Sequence, residues 1–232
     1  MNTVLVDYRI EAEEKNSLEN LNFKVLKCAQ SHNLYEAICG HPDILLNKIN
    51  KDTVLVHKQM DNHFIELLQK SNINVIFSHN SLGNEYPKNV ILNAINLEDI
   101  FVHNIKYTDI NLIEMVKKKK LVNTNQGYTK CSTTIVNERA IITSDTSIAS
   151  SLREENFDVL LIPSGDILLP GLDYGFIGGC CGLLSSNLLA FYGDLNCYAY
   201  GREIHNFLEK HNVTPVFLRK GKLIDRGSII SI

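Results

Sequence analysis

The sequence predicts an α/β protein built as a five-fold pseudosymmetric propeller of strand-strand-helix-strand units. Three observations support this fold: a 14-residue spacing that recurs, helices that lead into buried strands at a fixed distance, and chain ends that share one unit. Self-similarity with a period of about 20 to 50 residues indicates either an open solenoid or a closed ring.

The 14-residue spacing brackets an apolar run, a short polar break and a second apolar run. In the first copy, DILLN and TVLVH flank the polar segment KINKD, which predicts two strands joined by a turn. NHFIELLQK then has helical periodicity, and INVIF predicts a buried strand. The pairs with this spacing are Asp43 and His57, Asn89 and His103, Cys131 and Asp145, and Cys180 and Asp194.

A second marker predicts five helices, each followed by an equivalent strand. An apolar helix residue lies seven positions before a valine that opens the strand, although Pro215 lengthens the last spacing to eight. The pairs are Leu18 and Val25, Leu68 and Val75, Met115 and Val122, Leu152 and Val159, and Leu208 and Val216.

The chain ends distinguish a ring from a solenoid. After Ser228 only the strand IISI remains, whereas residues 3–26 supply a second strand, a helix and a third strand. One unit is therefore complete only when the ends meet, which predicts a closed ring and a single domain spanning 1–232. An open doubly wound sheet is the alternative, but it would not contain hairpins without crossover helices.

Composition limits the function classes. The chain has 232 residues, a formal net charge of -3 and a pI near 6.2, which argues against a nucleic-acid-binding surface. No apolar stretch approaches the ~18 residues of a membrane span, and MNTVLVDYRI leaves no room for a signal peptide, so a cytoplasmic location is expected. The six cysteines do not form a secreted disulfide pattern and should be reduced thiols.

The strand order predicts that the polar ends of all five units meet at one mouth. Strands one and two of a hairpin place these residues at the same end, and the helix returns strand three to that face. A concave mouth with acids, histidines and thiols predicts a small-molecule site. The candidates are Asp7, His41, Asp43, His57, Asn89, His103, Asn125, Cys131, Asp145, Cys180, Asp194 and Ser228.

Three segments, GHPDILL at 40–46, NQGYTKCS at 125–132 and GFIGGCCG at 175–182, together with the repeat, resemble the guanidino-group-modifying enzymes of the pentein superfamily. The resemblance is greatest to a group of bacterial proteins assigned to that fold without a characterised activity. In the enzymes of this superfamily a cysteine attacks the guanidinium carbon, a histidine moves protons and carboxylates hold the nitrogens.

The resemblance implies a cysteine-dependent hydrolase or transferase that acts on a guanidine-containing small molecule and needs no cofactor or metal. Either Cys131, in a polar loop, or Cys180, which follows the family's acid-acid-histidine-cysteine order, would be the nucleophile. His57 and His103 would move protons. The substrate-binding residues would be Asp43, His41, Asp7, Asn89, Asp145 and Asp194.

Other interpretations of the same residues remain open. Asp145 before TSIASSL is also a typical helix N-cap, and Asp7 and Asp194 are typical turn residues. A metal site could use His41, Asp43, His57, His103 and a cysteine, although no CxxC motif is present. A third hypothesis is a binding protein without catalysis. The substrate, the nucleophile and the oligomeric state are left undecided by the sequence.

Overall fold

Every sheet pairs its first strand with the second in an antiparallel hairpin, and its second strand with the third in parallel. The computed structural model describes residues 2–232, and these residues form five three-stranded sheets. The strands, in groups of one sheet, are β3 (Leu46–Asn50), β4 (Thr53–Val56) and β5 (Asn74–Phe77); β6 (Ile95–Asn96), β7 (Ile100–His103) and β8 (Lys120–Asn123); β9 (Thr133–Asn137), β10 (Ala140–Thr143) and β11 (Asp158–Leu161); β12 (Cys181–Ser185), β13 (Leu188–Phe191) and β14 (Thr214–Phe217); and β15 (Ile230–Ser231), β1 (Thr3–Asp7) and β2 (Lys24–Cys28).

The last of these sheets is built from both ends of the chain. Strand β15 runs antiparallel to β1, with Ser231 opposite Val4, and β1 runs parallel to β2. The predicted split unit is therefore present as a paired sheet.

A helix connects the second and third strands of each sheet. A further helix, α2 (Pro42–Leu45), is a single turn that precedes β3. The connecting helices are α1 (Ala12–Asn20), α3 (Asn62–Lys70), α4 (Ile110–Val116), α5 (Thr146–Glu154) and α6 (Gly201–Lys210). Among residues 2–232, no helix is long and apolar enough to cross a membrane.

Four of the connecting helices end in the same way. An asparagine with positive φ follows the helix, and the next N–H donates to the carbonyl of a leucine one turn back, as Ile73 does to Leu68 at 3.0 Å. This is the Schellman ending, which asparagine tolerates because its short polar side chain allows the left-handed conformation. The asparagines are Asn22, Asn72, Asn156 and Asn212.

The helical marker residues anchor the helices to the core, with one exception. Leu18, Leu68, Leu152 and Leu208 are fully buried. Met115 is 41% exposed, and Val116 takes the buried position in α4 instead. The spacing therefore located this helix but not its buried face.

The predicted strand DILLN begins three residues later than expected. Pro42 occupies the first position of α2, and the His41 carbonyl accepts from the N–H groups of Ile44 and Leu45, both at 3.1 Å. Proline favours this position because its fixed φ suits a helix start. Asp43 consequently lies in a buried helical turn and not in the strand.

The middle strands form the deepest part of the core. Strands β1, β4, β7 and β10 are buried along their whole length, which explains their continuous apolar sequences. The first strands of neighbouring sheets contact one another, β12 with β9 and β15, and β3 with β6. These first strands enclose the larger of the two cavities described below.

Candidate active site

Asp43 and Cys131 meet in the interior of the protein. The Cys131 thiol donates to Asp43 Oδ1 at 3.2 Å and accepts from Asn93 Nδ2 at 3.0 Å. Asn93 also accepts from the backbone N–H groups of Lys130 and Cys131, so it fixes the loop that carries the thiol. Cys131 is 3% exposed, and burial followed by the charge of Asp43 raises its pKa well above the usual value.

Ser228 and Lys130 complete the surroundings of Asp43. Asp43 Oδ2 lies 2.6 Å from Ser228 Oγ, which also lies 2.7 Å from the Gly178 carbonyl oxygen. The Lys130 ammonium donates to Ser228 Oγ at 2.9 Å. Both oxygens of the Asp43 carboxylate are therefore engaged, one by a thiol and one by a hydroxyl.

His41 lies between two further buried acids. Its Nδ1 is 3.8 Å from Asp225 Oδ1, and its Nε2 is 4.0 Å from Asp7 Oδ2 and has no hydrogen-bond partner. Asp225 accepts from the N–H groups of Phe176 and Gly227, and burial raises its pKa. The three side chains are at most 3% exposed, so the group is shielded from solvent.

The carboxylate of Asp7 already holds a guanidinium. Arg9 Nε donates to Asp7 Oδ1 at 2.9 Å and Arg9 Nη2 donates to Oδ2 at 2.5 Å, in the forked geometry that this pair favours. The carbonyl groups of Glu36 and Ala37 accept from the same guanidinium.

Cys180 and Cys181 lie on either side of the start of strand β12, and both thiols contact the Ile177 carbonyl oxygen, at 3.0 and 3.4 Å. Cys180 packs in the core, donates to the Ile177 carbonyl at 3.0 Å and has a pKa raised chiefly by burial. Cys181 lies against the larger cavity and bonds Thr134 Oγ1 at 3.0 Å. Burial opposes its ionisation, but the Cys180 thiol and the Lys130 ammonium lower its pKa overall.

The glycine pair before Cys180 allows close backbone approach. A Cβ on Gly178 would lie 2.3 Å from the carbonyl oxygens of Lys130 and Thr133, and one on Gly179 would lie 2.0 Å from Asp225 Oδ1. These glycines bring the cysteine loop against the Cys131 loop and against Asp225.

The two predicted catalytic histidines lie at the ends of β4 and β7. His103 uses both ring nitrogens, with Thr108 Oγ1 at 2.7 Å and the Gly127 carbonyl at 2.9 Å. His57 is buried, and its Nδ1 has no partner. Burial lowers the pKa of each to about 4, so both are neutral near pH 7.

The remaining predicted site residues have local roles. Asp145 caps α5 by accepting from the N–H groups of Ser147 and Ile148, and Asp194 accepts from the N–H of Asn196. Asn89 donates to the Tyr128 hydroxyl at 2.7 Å, and Asn125 is exposed.

Two cavities approach the buried cluster. The smaller, of about 480 Å³, is lined by Asp7, Arg9, Asp225 and Arg226. The larger, of about 700 Å³, reaches Asp43, Lys130 and Cys181. Within residues 2–232, no three His, Cys, Asp or Glu side chains come together closely enough to hold a metal ion, so the metal hypothesis has no ligand set there.

Sequence reasoning did not select Asp225, Asn93, Arg9 or Lys130. Asp225 follows the apolar LI dipeptide three residues before Ser228, in a segment without the repeat spacing. The available signal was the segment Asp-Arg-Gly-Ser shortly before the last strand. The structure buries its acid, Asp225, which is unusual for an aspartate.

The comparisons with known proteins agree on the fold. The family model described as "Family of unknown function (DUF6873)" matches residues 5–230. No curated protein matches the chain in sequence. Solved structures do match, at low sequence identity.

Inosamine-phosphate amidinotransferase from Streptomyces griseus is 10% identical, with a TM-score of 0.59 over 94% of this chain and 88% of that one. DDAH from Pseudomonas aeruginosa, a mutant complexed with citrulline, is 8% identical, with a TM-score of 0.56 over 93% and 92%. C. jejuni agmatine deiminase is 13% identical, with a TM-score of 0.52 over 93% and 86%. The predicted resemblance is thereby confirmed: the chain belongs to the DUF6873 family and has the fold of the pentein superfamily of guanidino-group-modifying enzymes.

Proposed function

We propose that the protein is a cysteine-dependent hydrolase or transferase that acts on a guanidine-containing small molecule. Cys131 would be the nucleophile, and Asp43 and Asp225 would hold the guanidinium. The observation that carries this proposal is the 3.2 Å contact between Cys131 Sγ and Asp43 Oδ1. A guanidinium suits such a site because it is planar, cationic and rich in donors.

The bound substrate would activate the thiol. In the free protein burial, together with the charges of Asp43 and Asp225, disfavours a negative charge on Cys131. A guanidinium seated between the two carboxylates would neutralise them and add a positive charge beside the sulfur. The pKa of Cys131 would then fall, so that the nucleophile forms only when substrate is present.

The reaction would proceed in two steps. The Cys131 thiolate attacks the guanidinium carbon, and the carbon-nitrogen bond to the leaving amine breaks as that amine takes up a proton. Water, or a second amine in a transferase, then attacks the carbon, and the sulfur leaves with its electron pair. His41 would move the protons because it contacts both Asp7 and Asp225 and has one free ring nitrogen.

We also propose that the five sheets close into a five-fold ring and form one domain. The pairing of β15 with β1 and the contacts between the first strands of neighbouring sheets support a ring. The site would then lie on the ring axis, where residues from distant units converge.

A haloacetamidine, a reactive cation shaped like a guanidinium, tests the proposal. 2-Chloroacetamidine at pH 7.5 should alkylate Cys131, identified by peptide mass spectrometry, and Cys131→Ser should remove that adduct. Cys180→Ser is the matched control and should leave it unchanged. Agmatine and arginine should be screened for release of ammonia and for a ureido product. If Cys131 resists labelling while the protein stays folded, the nucleophile is misassigned.

One observation favours a second candidate, a binding protein without catalysis. Arg9 already occupies Asp7, and Cys131 is nearly inaccessible. In that case methylguanidine should bind saturably in calorimetry, with neither labelling of Cys131 nor product from any guanidine tested.

A further inference from the structure

Two lysines at the larger cavity, Lys48 and Lys119, form no direct ion pair among the described residues. Lys48, in the middle of β3, donates from Nζ to the Ser231 carbonyl at 2.7 Å. Lys119 donates to Asn96 Oδ1 at 2.7 Å and to the Leu97 carbonyl at 2.5 Å. Across the described part of the chain, neither ammonium forms an ion pair. Six other lysines do form ion pairs with acids, all with exposed ammonium groups: Lys15, Lys70, Lys117, Lys120, Lys210 and Lys222.

Both ammonium groups are partly removed from water. Burial lowers the pKa of Lys48 and of Lys119. Glu138 only partly offsets this for Lys48, and Glu138, Asp99 and Glu98 only partly offset it for Lys119. Glu138 is itself engaged, because it accepts from the backbone N–H of Glu98 at 2.8 Å. Ammonium groups that are partly removed from water and have no counter-ion are energetically costly, so they indicate a site for an anion.

The walls of the cavity are apolar. Apolar side chains from four of the five sheets line it, all half-buried except the fully buried Leu189, and its volume of about 700 Å³ lies within the range of about 300 to 1,000 Å³ typical of small-molecule sites. These walls are Ile49, Ile135, Leu183, Leu189 and Ile230. A ligand for this space needs a hydrocarbon body as well as an anionic group.

We infer that this cavity binds an aliphatic monocarboxylate, with the carboxylate held by Lys48 and Lys119 and the hydrocarbon chain against the apolar walls. The cavity is lined by four lysines and three acids, so one further negative charge balances the lining. A phosphate dianion would exceed that charge and would leave the apolar walls uncovered. Lys48, Lys119 and the apolar walls take no part in the proposed catalysis, although Asp43 also borders the cavity, so the two proposals are tested separately.

Octanoate is the probe that tests this inference, measured by isothermal titration calorimetry with the full chain. Octanoate should bind saturably. Lys48→Met and Lys119→Met, which keep the apolar stem and remove the charge, should each weaken binding by about tenfold. Lys118→Met, an exposed neighbour, is the matched control and should bind as the wild type does. Octanol should bind at least tenfold more weakly than octanoate.

The ligand-free protein supplies a second measurement. If Lys48 awaits an anion, Lys48→Met should raise the thermal midpoint without ligand, because an unpaired charge is replaced by an apolar group of similar length. If Lys48 serves only its hydrogen bond to Ser231, the midpoint should fall. The inference is overturned if octanoate does not bind, if both methionine variants bind it normally, or if octanol binds equally well. Cys131→Ser should retain octanoate binding, which separates this site from the catalytic proposal.

Discussion

The Sγ of Cys131 lies 3.2 Å from Oδ1 of Asp43, although 88 residues separate them in the sequence. Asp43 precedes β3 and Cys131 precedes β9, and these strands belong to sheets that do not share a strand. This contact requires that the starts of β3 and β9 lie close together in the fold. The converging residues are a thiol, a carboxylate and a hydroxyl, which is a chemically versatile set.

Asp43 raises the pKa of Cys131 and is proposed to bind the guanidinium, and removing its charge should separate these two effects. Asp43→Asn removes the nearest negative charge, so the pKa of Cys131 should fall and neutral iodoacetamide should alkylate it several-fold faster at pH 8.5. The cationic 2-chloroacetamidine should gain less or react more slowly, because its binding partner is lost. Peptide mass spectrometry gives both rates for Cys131 alone.

Asp194→Asn is the control, since that carboxylate caps a short 3₁₀ turn. Equal changes in both labelling rates on Asp43→Asn would show that Asp43 only packs against the thiol.

The guanidinium of Arg9 occupies the carboxylate of Asp7. Removing Arg9 should therefore open a binding site for a free guanidinium at Asp7. Arg9→Ala leaves Asp7 buried without its cation, which should cost about 2 kcal/mol of unfolding free energy after allowance for the partial exposure of Arg9. Millimolar methylguanidine should then raise the thermal midpoint of Arg9→Ala by more than it raises that of the wild type.

Methylammonium at the same concentration should be a poorer substitute, because it cannot form the forked contact. Arg153→Ala is the control variant, since that exposed arginine contacts only a carbonyl. A thermal midpoint of Arg9→Ala that does not respond to methylguanidine would mean that Asp7 does not select a guanidinium.

The sequence predicted the order of elements better than the pairing of side chains. The leucine-to-valine spacing depends on the fixed length of a helix and its Schellman turn, so Leu68 and Val75 locate α3 and β5 correctly. The partners of Asp43 depend on how five sheets pack, which no local pattern records. Asp225 was missed for the same reason, and Asp43 itself lies in a helical turn because Pro42 starts one.

Asp145 should stabilise α5 as an N-cap. Asp145→Ala removes acceptors for the N–H groups of Ser147 and Ile148 and should lower the free energy of unfolding by about 1 kcal/mol in urea titration. Asp145→Ser should retain most of the stability, because serine also caps. Asp173→Ala, at an exposed position, should be neutral. If the alanine and serine variants are equally stable, the cap contributes little.

Gly178 should tolerate no side chain. A Cβ would lie 2.3 Å from two backbone carbonyl oxygens, which cannot move without separating the loops that carry Cys131 and Cys180. Gly178→Ala should therefore cost more than about 3 kcal/mol or abolish cooperative unfolding. Gly165→Ala meets no atom within 4 Å and should cost only about 1 kcal/mol for its positive φ. Equal stability of the two variants would contradict the packing described for the loop.

The two neutral buried histidines should make the fold sensitive to mild acid. Burial lowers the pKa of His57 and of His103 to about 4, whereas in the unfolded chain histidine has a pKa of about 6.5. Between these values the unfolded state binds more protons, so stability is complete above pH 6.5 and falls as the pH drops toward 4. Each histidine should contribute about 1.4 kcal/mol per pH unit near pH 5. His57→Gln should reduce the measured slope by that amount in urea unfolding at pH 6, 5.5 and 5, whereas His32→Gln, at an exposed position, should change it little. An NMR titration in which His57 gains its proton near pH 6.5 would contradict this account.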